Sequence, residues 1–309
     1  MKELYKKYRP KTLDQVIGQD ACVRSLQTMI KKKTIPHTIL FSGPSGCGKT
    51  TLARILRKEL KCSKTDFSEM NCADVRGIDE VRKIRRVMHL APIGGDVRIW
   101  LVDEAHKLTN DAQNAFLKML EDTPDHVYFM LATTDPNKLK NTIRTRSSEV
   151  KVKNLNAADM TSLLNDICKK EKKKTPNKVI VKIVEIAEGS ARKALVLLHQ
   201  VIDMDSTEDM LDTIEKTTHE VAVFALAKIL MNPHVKWKPV AKILLDLKEQ
   251  DTDAEGIRYM VMGYAQSALL KNWGSPDRAY NILESFRDHF YDSKFAGVTA
   301  ACYEVVMGQ

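Results

Sequence analysis

The chain has 309 residues, 43% hydrophobic and 29% charged, with 49 Lys+Arg against 40 Asp+Glu and a net charge of +9. That length accommodates about two or three domains with a sizeable core, and the balance argues against disorder. Residues 1–60 hold 13 basic and 4 acidic side chains while residues 206–309 hold 11 and 15, so the front of the chain suits a polyanionic partner.

In chain order, the first ten residues, MKELYKKYRP, lack the apolar run of a secretion signal. Ile39-Leu40-Phe41 reads as a buried strand, followed by a glycine-rich turn and a helical pattern at Leu52, Ile55, Leu56 and Leu60. Helices are expected near 79–90 and 109–121. Two further buried strands, 97–102 and 127–132, end at Asp103-Glu104 and at Thr133-Thr134-Asp135-Pro136, and 150–152 is a short last strand. Alternating buried strands and helices predict an α/β domain with a parallel sheet over 1–155. Beyond it the pattern is helical: 157–171 with Asn156 as its cap, then 177–188 and 190–204 broken at Gly189. Asp205-Ser206 is a hinge, and amphipathic helices are expected near 206–216, 218–231, 236–249, 253–271, 275–290 and 293–307. The expected architecture is an α/β core (1–155), a small helical domain (156–205) and an all-helical C-terminal domain (206–309). No stretch approaches 18 apolar residues, and a cytoplasmic protein is expected.

Gly43-Pro44-Ser45-Gly46-Cys47-Gly48-Lys49-Thr50 fits G-x-x-x-x-G-K-[ST] between a strand and a helix. Its glycines let backbone N–H groups curl around phosphates, and the helix points its positive end at them. Lys49 is expected on the β- and γ-phosphates and the Thr50 hydroxyl on Mg²⁺, with Thr51 following in the same turn. About 50 residues on, a buried strand ends in Asp103 and Glu104. Asp103 is expected to hold the metal through its water shell and Glu104 to polarise an attacking water, which favours hydrolysis over transfer to an acceptor. His106 reads as a helix-start residue and stays outside this set. The six cysteines, at 22, 47, 62, 72, 168 and 302, contain no C-x-x-C pair, so reduced thiols and no zinc site are expected.

Arg76, Arg82, Lys83, Arg85 and Arg86 lie at and after Val75-Arg76-Gly77-Ile78-Asp79. On a helix starting near Ile78, positions 82, 85 and 86 share a face. A solvated basic face is the plain alternative to phosphate binding for such a helix. Lys31-Lys32-Lys33 and the lysines of 169–174 read as solvated.

Several motifs together carry a family resemblance: Leu131-Ala132-Thr133-Thr134-Asp135-Pro136, the Asp-Glu-Ala-His box, and Gly189-Ser190-Ala191-Arg192-Lys193-Ala194-Leu195. So do Tyr8-Arg9-Pro10, Val16-Ile17-Gly18-Gln19 and the run Asn71-Cys72-Ala73-Asp74-Val75-Arg76-Gly77-Ile78-Asp79. The chain resembles the AAA+ ATPase subunits of sliding-clamp loaders, densely over about 1–205 and only architecturally beyond. Bacterial DNA polymerase III gamma/tau subunits are most similar, then replication factor C small subunits; the compact length would suit a phage version.

The resemblance implies that Tyr8, Arg9, Pro10, Val16, Ile17 and Gly18 border the adenine of ATP. It places Thr134 at the sensor 1 position and Arg192 at sensor 2, both near the γ-phosphate. Arg146 matches the arginine that reaches a neighbouring subunit's nucleotide, although its flanks, Thr145 and Ser147, depart from the family's Ser-Arg-Cys. The four-cysteine zinc module of bacterial members is missing between Cys62 and Cys72. The basic helix would line a DNA channel with Arg76, Arg82, Lys83 and Arg86, and Arg76 could couple DNA contact to Glu104. Residues 206–309 would be the oligomerisation collar, and the implied partners are a sliding clamp, primer–template DNA and other loader subunits in a ring. The alternatives are another AAA+ DNA-processing ATPase, such as a branch-migration motor or replication initiator, and a non-catalytic scaffold subunit. The intact Lys49–Arg192 set argues against the scaffold, and the Ala-Thr-Thr-Asp-Pro run against the other motors.

Overall fold

A computed structural model describes residues 3–249 and 252–308; Met1 and Lys2 of the N-terminal run, and Gln309 at the end of the expected collar, lie outside the described residues. The chain divides into two compact units, Met1–Asp205 and Ser206–Gln309. Among the described residues, no helix is long and apolar enough to cross a membrane.

The first unit opens with α1 (Leu4–Lys7) and α2 (Asp20–Lys32), then alternates β1 (Thr38–Ser42), α3 (Lys49–Glu59), β2 (Phe67–Asn71), α4 (Ile78–Val87) and β3 (Arg98–Asp103). It continues through α5 (Asn110–Glu121), β4 (Val127–Thr133), α6 (Asn141–Thr145) and β5 (Ser148–Lys151). The five strands form one sheet in the order β2-β3-β4-β1-β5, every pairing parallel. Strand side chains alternate faces, and here both faces are covered, which is why the strands read as unbroken apolar runs. Ile39, Phe41, Ile99, Leu101 and Met130 pack with Leu26, Leu52 and Leu56 on one face. Leu40, Trp100, Val102, Phe129 and Leu131 pack with Val81, Ile84, Phe116 and Met119 on the other.

The edge strand β2 has no counterpart among the sequence expectations. Its residues, Phe-Ser-Glu-Met-Asn, are half-buried or exposed, so it carries no apolar run to read. At the opposite edge β5 ends at Lys151 and pairs with β1, one residue short of the expected strand end. Three helices complete the unit: α7 (Ala157–Glu171), α8 (Asn177–Ala187) and α9 (Ala191–Val201). Asn156 caps α7 by accepting from the Asp159 N–H, and Ser190 caps α9 by accepting from the Lys193 N–H.

The second unit holds α10 (Thr207–Leu230), α11 (Trp237–Glu249), α12 (Ala254–Leu270), α13 (Pro276–Ser285) and α14 (Lys294–Met307) around their own apolar core. The two helices expected over 206–216 and 218–231 are one 24-residue helix. No Gly or Pro interrupts the run, and Thr217, between the two expected segments, stays helical while its hydroxyl donates to the Thr213 carbonyl at 2.8 Å. The expected 275–290 helix ends at Ser285, where the Phe286 N–H closes onto the Ile282 carbonyl.

Candidate active site

The glycine-rich loop leaves the carboxyl end of β1 and runs into α3. Gly43 and Gly46 sit at φ of +149° and +76°, and side chains there would collide with their surroundings. A Cβ on Gly43 would lie 2.0 Å from the Val152 carbonyl oxygen, and one on Gly46 would lie 2.3 Å from Ser190 Oγ. The bare Gly46 therefore lets the start of α9, with Arg192, close on the loop. No side chain caps the first turn of α3, so its N-terminal end remains available to an anion.

Lys49 is 6% exposed, and its ammonium curls back to donate to the Gly43 carbonyl at 2.8 Å and the Pro44 carbonyl at 2.7 Å. Burial pushes its pKa below the usual lysine value, against the opposing pull of the Cys47 thiol and of Glu104 and Asp103. A buried cation held only by neutral carbonyls is poised for an anionic ligand. The Cys47 thiol donates to the Pro44 carbonyl, and burial raises its pKa, so it packs as a protonated structural thiol.

Asp103 ends β3 with both carboxylate oxygens engaged. Oδ2 accepts from Thr50 Oγ1 at 2.8 Å, and Oδ1 accepts from the Glu104 N–H at 3.0 Å. A hydroxyl and a carboxylate are the hard oxygen donors that Mg²⁺ takes when phosphate and water complete its shell. Thr50 and Asp103 supply two such donors side by side. Glu104 follows at φ 53°, ψ 41°, a left-handed conformation that few non-glycine residues adopt.

These residues line one cleft of about 540 Å³ with Ser45, Gly46, Cys47, Gly48 and Thr51 of the loop and with Arg192. Tyr8, Arg9, Pro10, Val16 and Ile17 line the same cleft. Gly18 stands just behind the wall, where a Cβ would meet Leu155 and Asp159. Among the wall residues that the motifs do not indicate are Arg54, whose guanidinium grips both carboxylate oxygens of Glu69, and Lys170, whose ammonium lies over the Tyr8 ring. Lys170 belongs to a run that reads as solvated, and its local pattern carries no sign of the cleft.

β4 lies between β1 and β3, so its carboxyl end separates the phosphate loop from the paired acids. Thr134, just past that end, is half-buried. Its neighbour Thr133 is fully buried, and the Thr133 carbonyl accepts from the Gly43 N–H at 3.2 Å. Thr133 Oγ1 lies 3.0 Å from His106 Nδ1, while His106 Nε2 lies 3.5 Å from Glu104 Oε2. His106 thus sits in a short 3₁₀ turn (Ala105–Lys107) beside Glu104 and is not itself among the residues lining the cleft.

Two groups of expected site residues stand apart. Arg146 is exposed at the end of α6 and pairs with Glu121 at 2.9 Å. Arg82, Lys83, Arg85 and Arg86 are exposed on α4, with Arg82 beside Asp79 and Lys83 beside Glu80. Arg76 is exposed in the turn before α4, its carbonyl accepting from the Thr109 N–H.

A parallel sheet with the phosphate loop after one inner strand, β1, and paired acids at the end of another, β3, two strands away, defines a P-loop protein of the AAA+ type. The Rad17 P-loop domain model matches residues 1–86, and the model described as DNA polymerase III, delta subunit, matches residues 73–156. The chain is 31% identical to the DNA polymerase III subunit gamma of Buchnera aphidicola over 261 residues, covering 75% of this chain and 71% of that one. It is 31% identical to subunit tau of Bacillus subtilis over 294 residues, covering 87% of this chain and 52% of that one. Against subunit gamma/tau of Mycobacterium tuberculosis the figures are 34% over 222 residues, 64% and 38%. The chain belongs to the DNA polymerase III gamma/tau subunit family, and it spans between about a third and a half of the length of the longer members. In fold it is similar to the RuvB Holliday junction branch migration motor of Thermotoga maritima, with a TM-score of 0.57 and 21% identity over 76% of this chain and 84% of that one.

Proposed function

We propose that the chain is the ATP-hydrolysing subunit of a sliding-clamp loader, a DNA-stimulated ATPase that uses Mg²⁺. The observation that carries this reading is the convergence of Lys49, the Thr50–Asp103 pair, Glu104 and Arg192 on one cleft in a chain of the gamma/tau family. Lys49 exchanges its loop carbonyls for β- and γ-phosphate oxygens, and the loop from Gly43 to Thr51 holds the rest of the triphosphate. Thr50 and Asp103 hold Mg²⁺, which when bound offsets phosphate charge. The Glu104 carboxylate accepts a hydrogen bond from the attacking water, orients it and polarises its O–H. Thr134 and Arg192 contact the γ-phosphate within the subunit. Tyr8, Arg9, Pro10, Val16, Ile17 and Gly18 enclose the base.

Arg146 acts in trans, on the nucleotide of a neighbouring subunit; its exposure and its position outside the cleft lining support that assignment. Arg76, Arg82, Lys83 and Arg86 track the DNA backbone without reading sequence. Residues 1–155 form the ATPase core, 156–205 the lid that carries Arg192, and 206–309 the collar that joins subunits. ATP binding closes a ring of such subunits around a clamp and primer–template DNA in the cytoplasm of a bacterium or a phage-infected host, and DNA-triggered hydrolysis releases the loaded clamp. No zinc takes part in this reading.

Glu104→Gln should keep ATP affinity and lose turnover by about 10²-fold or more, the usual worth of a positioned general base. Steady-state ATPase equal to that of the parent chain would overturn the hydrolytic reading.

A further inference from the structure

We propose that His106 is the positioning residue for Glu104, one imidazole that ties the water-orienting carboxylate to the carboxyl end of β4. The proposal rests on the reading of Glu104 given above. Three observations meet here. Glu104 occupies a left-handed backbone conformation with no helix or strand to fix its side chain. His106, whose side chain is only 10% exposed, is the titratable ring beside that carboxylate, Nε2 lying 3.5 Å from Oε2. Its other nitrogen, Nδ1, is 3.0 Å from Thr133 Oγ1.

The Glu104 carboxylate beside Nε2 favours one tautomer, and Thr133 can accommodate it. Thr133 Oγ1 already accepts the Asp135 N–H at 3.1 Å, and a hydroxyl has one proton to give. If it gives that proton to His106 Nδ1, the neutral ring carries its own proton on Nε2, facing the Glu104 carboxylate. The opposite tautomer would turn a nitrogen lone pair toward a carboxylate, which electrostatics disfavours. In this tautomer the Thr133 hydroxyl orients the ring and Nε2–H faces the acid at 3.5 Å, within reach of a hydrogen bond once Glu104 shifts slightly toward it.

Its anchor has a consequence for the reaction. The Thr133 carbonyl holds the Gly43 N–H at the start of the phosphate loop, and the next residue is Thr134. A displacement of the β4 end by nucleotide would be passed to Glu104 through one rigid ring. The residues lining the cleft do not include His106, so its substitution should act on the chemical step and leave nucleotide binding alone.

The test is ATPase kinetics and nucleotide affinity, the latter with a fluorescent ATP analogue, on the full chain carrying His106→Phe, His106→Gln, Thr133→Val and Thr133→Ser. His106→Phe should lower kcat about 10–100-fold, as loss of orientation typically does, with KM and nucleotide Kd within about twofold of the parent. His106→Gln, whose amide can donate to Glu104, should recover most of the loss. Thr133→Val should reproduce the kcat loss and Thr133→Ser should not, which keeps the proposal testable should the Phe variant fold poorly. In a Glu104→Gln background, His106→Phe should cost nothing more. An unchanged kcat in both His106→Phe and Thr133→Val, beside an inactive Glu104→Gln, would overturn the positioning role while leaving the hydrolytic reading intact. Equal losses of affinity and turnover that Gln does not rescue would assign His106 a merely structural role and also overturn it. Normal turnover by Glu104→Gln would instead remove the hydrolytic reading on which the positioning role depends.

Discussion

At Asp66 a buried carboxylate takes four donors: Ser63 Oγ, the Ile93 and Gly94 N–H groups, and the Arg98 guanidinium. Burial alone would raise its pKa; the Ser63 bond, the two backbone bonds and Arg98 together hold it well below the usual aspartate range. A carboxyl with a lowered folded-state pKa binds fewer protons folded than unfolded, so its stabilisation is complete above about pH 4 and fades as pH falls below that. Asp66→Asn should cost about 1–3 kcal/mol at pH 7, because the backbone donors lose a charged acceptor. Its denaturation midpoint should also fall less between pH 7 and pH 3 than that of the parent; parallel acid profiles would show that Asp66 does not carry this pH dependence. The nucleotide cleft follows a different rule. There the buried group is the Lys49 cation, and its neutral partners leave it ready for a triphosphate.

The helix α4 shows how an element can be legible in sequence while its role is not. Val81 and Ile84 face the core, and Arg82, Arg85 and Arg86 are left outside by 3.6-residue periodicity. The Arg82–Asp79 and Lys83–Glu80 pairs are exposed and weak, and DNA phosphates can displace them. Arg82→Ala with Arg86→Ala should flatten the plot of log DNA affinity against log salt by about 0.9 per lost phosphate contact. An unaltered slope, read from titrations at several salt concentrations, would make this a solvated face. The edge strand β2 is the converse case, plain in the structure and silent in the sequence, because a half-exposed edge needs no apolar run. Likewise, α10 runs unbroken through Thr217, between the two expected helices, with no Gly or Pro to stop it there.

On the scale of the molecule, the phosphate loop and the acids at 103–104 could be read directly, since loop-to-helix geometry and a strand ending in carboxylates constrain residue type at fixed spacing. What could not be read was the strand order. With β4 inserted between β1 and β3, Thr133 and His106 become neighbours across 27 residues of chain, a juxtaposition that only the fold creates. The assignment of Arg146 also belongs to this scale, because it requires a second subunit. Arg146→Ala should lower the assembled ATPase by about 10³-fold, and mixing it with Glu104→Gln subunits should restore turnover where an intact Glu104 site meets an intact Arg146. If mixing restores nothing, the residue does not act in trans.

The account as a whole turns on coupling between hydrolysis, DNA and a clamp. Its most direct test is steady-state ATPase of the full chain with its loader partners, measured alone, with primer–template DNA, with the clamp, and with both. The two together should stimulate turnover beyond the sum of their separate effects. Turnover equal under all four conditions would contradict it.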